Sequence, residues 1–421
     1  MLRAFAPSPW KTVKKIVKAW ENFDGFLFLL VVGLTIFAGI VIHSIQLNQQ
    51  GRTEWLSHFI FSGVGVFLAL IISRFRYEFL IQWHWIIYGI TNVLLIAVFF
   101  LGVTVNGAQN WLSLGGGLTI QPAEFAKLAL IISLAAILHD NPASNLGSVF
   151  RVLGVTSIPW ILVVLQPDLG TSLAFGAITL GMLYWANANP GWLMIMVSPI
   201  VSVILFTLFF PAWVIWTVLM GIIAWLTLPF RFVTTIMTVA GNLVAGELGY
   251  LLWNALQPYQ KNRLTLFLNP EQDPLGGGYH LIQSRIAIGS GEIWGKGLHQ
   301  GTQTQLNFVP EQHTDFIFSA IGEEFGFVGA MLVLLALWLI CFRLIYIAST
   351  AKENFGSLIC AGFLSMVVFQ IIINIGMTIG LGPITGIPLP WMSYGGSSLL
   401  TNFLALGIIE SVANYRQRKQ I

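Results

Sequence analysis

Charge is scarce in this sequence. Asp, Glu, Lys and Arg make up 9% of its 421 residues, against about 25% in ordinary soluble domains. Hydrophobic residues reach 56% and the mean hydropathy is +0.80. So little polar surface cannot cover a water-exposed globule, and the chain reads as a polytopic membrane protein. Cysteine is nearly absent too. Cys341 and Cys360 lie inside apolar runs, a spacing that offers neither a disulfide framework nor a metal knuckle, and both read as small core residues. The formal net charge of +3 says less than its distribution, and no nucleic-acid partner is expected.

What is present in quantity is apolar length. Runs near the ~20 residues that cross a bilayer recur at 26–45, 56–73, 84–103, 122–138, 152–166, 171–187, 191–210, 213–229, 232–256, 325–346, 356–380 and 396–414, which makes twelve expected spans. The basic segment with Arg3, Lys11, Lys14, Lys15 and Lys18 precedes the first. It does not read as a cleaved signal, because the apolar run is too long and no small-residue cleavage site follows. That segment, Arg74/Arg76, Arg151, Arg231, Arg343/Lys352 and Arg416/Arg418/Lys419 all fall on one side if every run crosses. By the bias of Lys and Arg toward the cytoplasm, both termini lie there. The expected division is a basic N-terminus (1–25), one membrane domain (26–415) and a short C-terminus (416–421).

The opposite, extracytoplasmic side then receives 46–55, 104–121, 167–170, 257–324 and 381–395. At 68 residues, 257–324 is far longer than an ordinary connection. "LIQSRIAIGS" and "TDFIFSAIG" are too apolar and patterned for disorder, so a folded loop that partly re-enters the membrane as amphipathic helices is expected. Five acidic or imidazole groups (Glu311, His313, Asp315, Glu323, Glu324) crowd into fourteen residues of it, at the lip of a span.

Charges at the mouths of spans are costly and need a reason. In "QPAEFAKLAL", Glu124 and Lys127 stand at i, i+3 on one helix face, either as a neutralised pair or as a polar cavity lining. In "LQPDLGTSL", Asp168 is a helix cap or a carboxylate facing the outer cavity. Trp111, in the Gly/Asn-rich "NGAQNWLSLGGG", is a headgroup-level anchor or a surface for an isoprenoid or sugar. "PLPWMSYGGSSLL" offers small residues for close helix approach and hydroxyls at Ser393 and Tyr394. His313 and Asp315 diverge on a helix, and a metal would need further ligands from elsewhere. Asp315, beside Phe316 and Phe318, has a route to a raised pKa through desolvation, the setting of a general base. Thr314 or Asp315 as a helix N-cap fits the same residues. The residues alone reach an enzyme or transporter with an outward polar cavity.

These stretches resemble the RodA/FtsW family of shape, elongation, division and sporulation proteins (SEDS). "DPLGGGYHLIQSRIAIGSGEIWGKGL", "FVPEQHTDFIFSAIGEEFGFVG", "QPAEFAK", "QPDLGTS" and "GIPLPWMSYGGSS" match its signatures in order over most of 26–415. The wording of "DPLGGGYH" and "GLHQGTQTQLNFVPEQHTDFIF" is closer to the RodA (elongation) branch than to the FtsW (division) branch. The resemblance implies a peptidoglycan glycosyltransferase of the bacterial cytoplasmic membrane that polymerises lipid II during wall elongation and rod-shape maintenance. It also implies a class B penicillin-binding transpeptidase and other elongation-complex proteins as partners. Carried over, the family's essential aspartate falls on Asp315, its loop tryptophan on Trp111 and its Glu/Lys pair on Glu124 and Lys127. An inverting transfer needs one base, Asp315, and stabilisation of a leaving diphosphate. Lys127, Arg285, Lys296 and a divalent cation (Mg or Mn) are candidates for that task, with Asp168, His313 and Ser393 around the cavity.

One departure stands out. The family usually has ten spans, whereas 191–256 has length for three where one is usual. The expected fold is therefore an all-α SEDS-type bundle of about twelve helices, a family core of ten plus an inserted hairpin, with a large folded extracytoplasmic loop. Rival readings are a flippase for lipid-linked precursors, a division-type polymerase and a pure scaffold. Alternating access usually shows internal repeats, and none is visible here.

Overall fold

The computed structural model describes residues 22–47, 53–105, 108–115, 118–255, 261, 269–274, 276 and 278–416. The basic segment through residue 21, Arg418 and Lys419, and most of 256–268 at the start of the long loop lie outside the described residues.

The apolar runs fold as helices. They are α1 (Gly25–Gln46), α2 (Glu54–Ile72), α3 (Leu80–Leu101), α4 (Pro122–Asp140), α5 (Leu146–Leu165) and α6 (Leu169–Trp185). α7 (Pro190–Leu208), α8 (Phe210–Thr227) and α9 (Arg231–Ala255) follow. The long loop contributes α10 (Tyr279–Ser290) and the short α11 (Thr302–Gln305), before α12 (Ile317–Thr350), α13 (Asn354–Thr378) and α14 (Gly396–Asn414). Among the described residues, eleven helices are long and apolar enough to cross a membrane. α6, with 17 residues, is the twelfth expected segment. The protein is a polytopic helical membrane protein.

Two local features depart from the sequence reading. Residues 102–120 form a small antiparallel sheet, β1 (Gly102–Val105), β2 (Ala108–Gly115) and β3 (Leu118–Ile120), in the order β1-β2-β3, with Val103 opposite Trp111 and Ser113 opposite Thr119. The glycines of this stretch mask its short alternating runs. The gap before α8 is narrower than the expected Pro211–Ala212, because Phe209 alone takes extended backbone (φ −154°, ψ 90°). Pro211 then sits in the first turn, where its missing N–H costs nothing.

α4 is the buried centre, sheathed by α3, α5, α6, α13 and α14. α7, α8 and α9 pack chiefly on one another and join the rest through α6. Their seam holds a polar knot. The Trp213 indole donates to Ser202 Oγ (2.6 Å), that hydroxyl donates to the Asn242 carbonyl (2.8 Å), and Asn242 Nδ2 donates to Ser198 Oγ (3.0 Å). In a hydrocarbon setting such bonds hold helices together where apolar contact alone gives little preference. Asn189 Nδ2 donates to the Thr227 carbonyl (3.1 Å), which keeps the α8–α9 turn beside the α6–α7 turn.

At the end of the bundle remote from the long loop, Asp24 caps α1 through Leu27 N (3.1 Å) and pairs with Arg343 of α12. Its backbone N–H donates to Glu410 of α14 (2.9 Å). One polar knot thus ties three helices.

Candidate active site

The far end of the bundle gathers the polar chemistry. α12 is 34 residues long, or about 51 Å at the usual rise, more than a bilayer needs. It is broken at Gly326, whose backbone (φ 64°, ψ −161°) is non-helical. The turn at 291–297 fills the break: Phe327 N donates to the Glu292 carbonyl (2.9 Å) and Val328 N to that of Ile293 (3.1 Å). In return Lys296 N and Gly297 N donate to the carbonyls of Glu323 (3.0 Å) and Glu324 (2.9 Å). "GSGEIWGKG" is therefore a plug that lets a segment buried on all sides, 317–324, end at the mouth while the rest of α12 continues as the span.

Glu323 is fully buried and satisfied. Its carboxylate accepts from Gln303 N (2.8 Å), Thr304 N (2.9 Å), Lys296 Nζ (2.9 Å) and Thr302 Oγ1 (3.2 Å). Glu324 accepts from Ser44 of α1, and the Ser44 hydroxyl also meets His299 N (3.1 Å). These two acids brace the loop against the bundle.

Asp315 is placed differently. It is half-buried one residue before Phe316, which precedes α12 without a side-chain cap. Thr314 turns back to the Glu311 carbonyl (3.1 Å), so neither Thr314 nor Asp315 caps the helix. The Asp315 carbonyl accepts from Asn374 Nδ2 (2.8 Å), and the same nitrogen donates to the Ile387 carbonyl (2.8 Å). Gly386, with φ +71°, presents bare backbone to the carboxylate: a Cβ there would stand 3.4 Å from Asp315 Oδ2. Burial, with the charges of Glu311 and Asp168 adding, pushes the Asp315 carboxyl up to about 7. A carboxyl so placed is half protonated near neutrality, as a base that must accept and release a proton requires.

Asp168 caps α6 through Thr171 N (3.0 Å) and Thr171 Oγ1 (2.9 Å), and its other contacts reach outward. Asn110 of β2 (3.2 Å) and Gln121 ahead of α4 (2.9 Å) both donate to it. Gly170 lets the 385–387 segment press close, since a Cβ would lie 2.7 Å from the Thr385 carbonyl. Asp168 thus joins the sheet, α4, α6 and the 381–395 connection around Asp315. Trp111, next to Asn110, is half-buried on the same sheet.

The remaining candidates separate. Glu124 and Lys127 form a buried pair (2.7 Å) inside α4, both side chains almost fully enclosed. Lys296 is engaged by Glu323 and Thr302 (2.7 Å). Arg285 on α10 is exposed beside the Gly380 turn, where a Cβ would lie 3.2 Å from its Cδ. Ser393 is buried and committed to backbone, donating to the Thr314 carbonyl (2.6 Å) and accepting from Leu389 N (2.8 Å). The His313 ring lies 5.8 Å from Tyr394, whose N–H donates to the His313 carbonyl (2.9 Å). The 389–394 connection is thus clamped to 313–315. Among the described residues no three His, Cys, Asp or Glu side chains form a metal-holding group, so no step is routed through the candidate cation.

Sequence reading missed Asn374 and Gly386. Asn374 carried a usable signal, one of two amides, with Gln370, in the apolar run "VVFQIIINIGM". Gly386 carried none, since its role rests on a partner seventy residues away.

The chain as a whole is similar to proteins of one family. A family model for FtsW, RodA and SpoVE, described as a cell cycle protein, matches residues 22–215 and 211–418. The peptidoglycan glycosyltransferase RodA of Treponema pallidum is 35% identical, covering 95% of this chain and 99% of its own. The peptidoglycan glycosyltransferase MrdB of Escherichia coli K12 is 34% identical, covering 94% and 96%. A chain solved in a peptidoglycan synthase complex that coordinates polymerization and crosslinking superposes with a TM-score of 0.71 at 26% identity, covering 94% of this chain and 99% of that one. The rod shape determining protein RodA of Thermus thermophilus shares the fold, with a TM-score of 0.62, 24% identity and coverage of 95% and 99%. The chain belongs to the FtsW/RodA/SpoVE family, on its RodA side.

Proposed function

We propose that this chain, a RodA-type peptidoglycan glycosyltransferase, polymerises lipid II at an extracytoplasmic mouth with Asp315 as general base. The observation that carries the reading is Asp315 itself, a partly desolvated carboxylate raised to about 7. Its backbone is held by Asn374 while its carboxylate faces the bare backbone of Gly386. Lipid II joins an undecaprenyl tail to a diphosphate and a disaccharide-pentapeptide. Sugars reacting at the lip of the bundle keep their tails in the bilayer.

Asp315 takes the proton of the acceptor 4-hydroxyl as that oxygen attacks the donor anomeric carbon. The bond to the diphosphate breaks with its electron pair, and the α-linked donor becomes a β-1,4 link. Of the three cationic side chains named for the leaving diphosphate, Arg285 meets it without breaking a buried ion pair. Lys127 and Lys296 serve their carboxylate partners. Asp168, through Asn110 and Gln121, holds the sheet bearing Trp111 over the same mouth. The mouth faces outward and both termini face the cytoplasm, in keeping with the Lys/Arg bias of the flanks. A class B penicillin-binding transpeptidase is the proposed partner, supported by the likeness to a chain from a polymerising and crosslinking complex.

The test is lipid II polymerisation by purified protein, with a partner unable to polymerise or crosslink, comparing wild type with Asp315→Ala. Glycan strands from wild type alone support the base. Full activity in a folded Asp315→Ala protein removes Asp315 from the role. No product from either, with normal partner binding, favours a flippase or scaffold.

A further inference from the structure

At the opposite end from Asp315, the connection between α2 and α3 and the start of α3 read "SRFRYEFLIQWHW", residues 73–85. Arginines alternate with aromatics, and the structure turns Phe75, Phe79 and Trp83 outward. Beneath this turn lies a cavity of about 510 Å³, lined by Ile72, Phe75, Tyr77, Leu80 and Ile408, with Arg76 at its rim. That volume falls within the ~300–1,000 Å³ of ordinary ligand pockets.

The cavity is held open by its frame. Tyr77 N donates to Ser411 Oγ (3.1 Å), Tyr415 Oη donates to the Arg74 carbonyl (2.8 Å), and the Tyr77 ring stacks on Phe355 (6.2 Å between centroids). The Arg76 guanidinium lies 5.8 Å over the Tyr415 ring and pairs with Glu78 at 2.9 Å, with 62% of its side chain exposed. Glu78, with 16% of its side chain exposed, accepts from one edge of Arg76 through both oxygens (2.9 and 3.4 Å), so that edge is committed and the outward N–H groups are what a ligand meets. Lys352 adds positive charge near Glu78, and Glu353 adds the second carboxylate.

We infer that this cavity is a binding site for an anionic glycerophospholipid, one acyl chain lying against Ile72, Leu80 and Ile408 and the phosphate accepting from the outward N–H groups of Arg76 that Glu78 leaves open. An apolar slot beneath a guanidinium at a membrane flank matches a lipid with a charged head in both parts. Water-filled apolar space would be unfavourable, and a zwitterionic head would gain less from Arg76 and Lys352. The assignment to the cytoplasmic leaflet rests on the sidedness proposed above; the binding itself does not.

The test uses the purified full-length protein in neutral detergent and counts retained lipid by native mass spectrometry. Dioleoyl phosphatidylglycerol, dioleoyl phosphatidylcholine and inorganic phosphate are the probes. Wild type is expected to retain one phosphatidylglycerol with about tenfold preference over phosphatidylcholine. Arg76→Gln should erase that preference, and Leu80→Trp, which fills the slot, should lower retention of both lipids. Equal retention of the two lipids by wild type overturns the site, as does unchanged phosphatidylglycerol retention in either folded variant. Displacement of phosphatidylglycerol by inorganic phosphate alone would reduce it to an anion site and overturn the lipid assignment. If Leu80→Trp fails to fold, the exposed Arg76→Gln decides. The readout needs no polymerisation, so an inactive protein leaves it intact.

Discussion

The Asn374 side chain reaches from the C-terminal end of α13 to the Asp315 carbonyl at 2.8 Å, and the same nitrogen holds the Ile387 carbonyl at 2.8 Å. One fully buried amide thereby sets both the segment that carries the acid and the segment that faces it. Asn374→Ala leaves two carbonyls unsatisfied, at about 1–3 kcal/mol each, and frees both segments to shift. Polymerisation is expected to fall on the order of 10²-fold, as for small misplacements of reacting groups, with Asp315 still present. Strand synthesis measured beside a thermal melt separates lost positioning from lost fold: an Asn374→Ala protein of wild-type activity would remove Asn374 from this role.

Asp315 sits at about 7 because burial disfavours its charge. As a base it must be ionised, so activity should rise with pH through about 7 and fall roughly tenfold per unit below it. The stability sign runs the other way. A carboxyl whose folded value exceeds its unfolded ~3.9 favours the fold below that value, and the advantage is lost as pH climbs to 7. The thermal margin of Asp315→Asn over wild type should therefore widen from pH 4 to 7 and stay flat above. A pH–rate profile with no limb between 6 and 8 would contradict the base.

Glu124 and Lys127 are both enclosed in α4. Removing one partner strands a buried charge, and Glu124→Ala or Lys127→Ala should each cost about 3–5 kcal/mol. Replacing the pair by Gln and Met should recover most of that. Restored melting with restored polymerisation marks the pair as structural; restored melting without activity marks it as part of the cavity.

Gly326 has no room and no freedom for a side chain. Its φ of +64° disfavours L-residues, and a Cβ would lie 2.2 Å from Gly295 N, a backbone atom that cannot swing away. Gly326→Ala should unseat the 291–297 turn, with a loss above the ~1–3 kcal/mol of backbone strain alone. Hydrogen exchange over 291–305 reads the effect: faster exchange there, with α4 still protected, is the expected pattern.

The α8–α9 turn lies beside the α6–α7 turn through Asn189 and Thr227. Pro229→Cys, in a chain whose Cys341 and Cys360 are replaced by Ala, should be labelled by an impermeant reagent only from the cytoplasmic side. Labelling from outside would overturn the hairpin and the sidedness of α7–α9.

The twelve apolar runs, the acidic lip at 311–324 and the motif order were legible without coordinates, because hydrocarbon length and the cost of charge at a membrane act on local sequence. The signature wording led to Asp315 for the same reason, as it is contained in a short stretch. Sequence left Glu124–Lys127 and Asp168 each with two meanings, since an i, i+3 pair or a cap looks alike whether it faces lipid, protein or a cavity. Enclosure in α4 and the reach of Asn110 and Gln121 to Asp168 belong to the assembled bundle. So do the commitment of Lys296 to Glu323 and of Ser393 to Thr314, two candidates that local chemistry could not distinguish from ligand-binding groups. Asn374 and Gly386 meet Asp315 across 59 and 71 residues of chain. The chain by itself determined what must lie in the bilayer and which acids crowd its edge. Which of those acids is braced and which is held ready was decided by contacts between helices, because burial and hydrogen-bond partners exist only once the helices have packed.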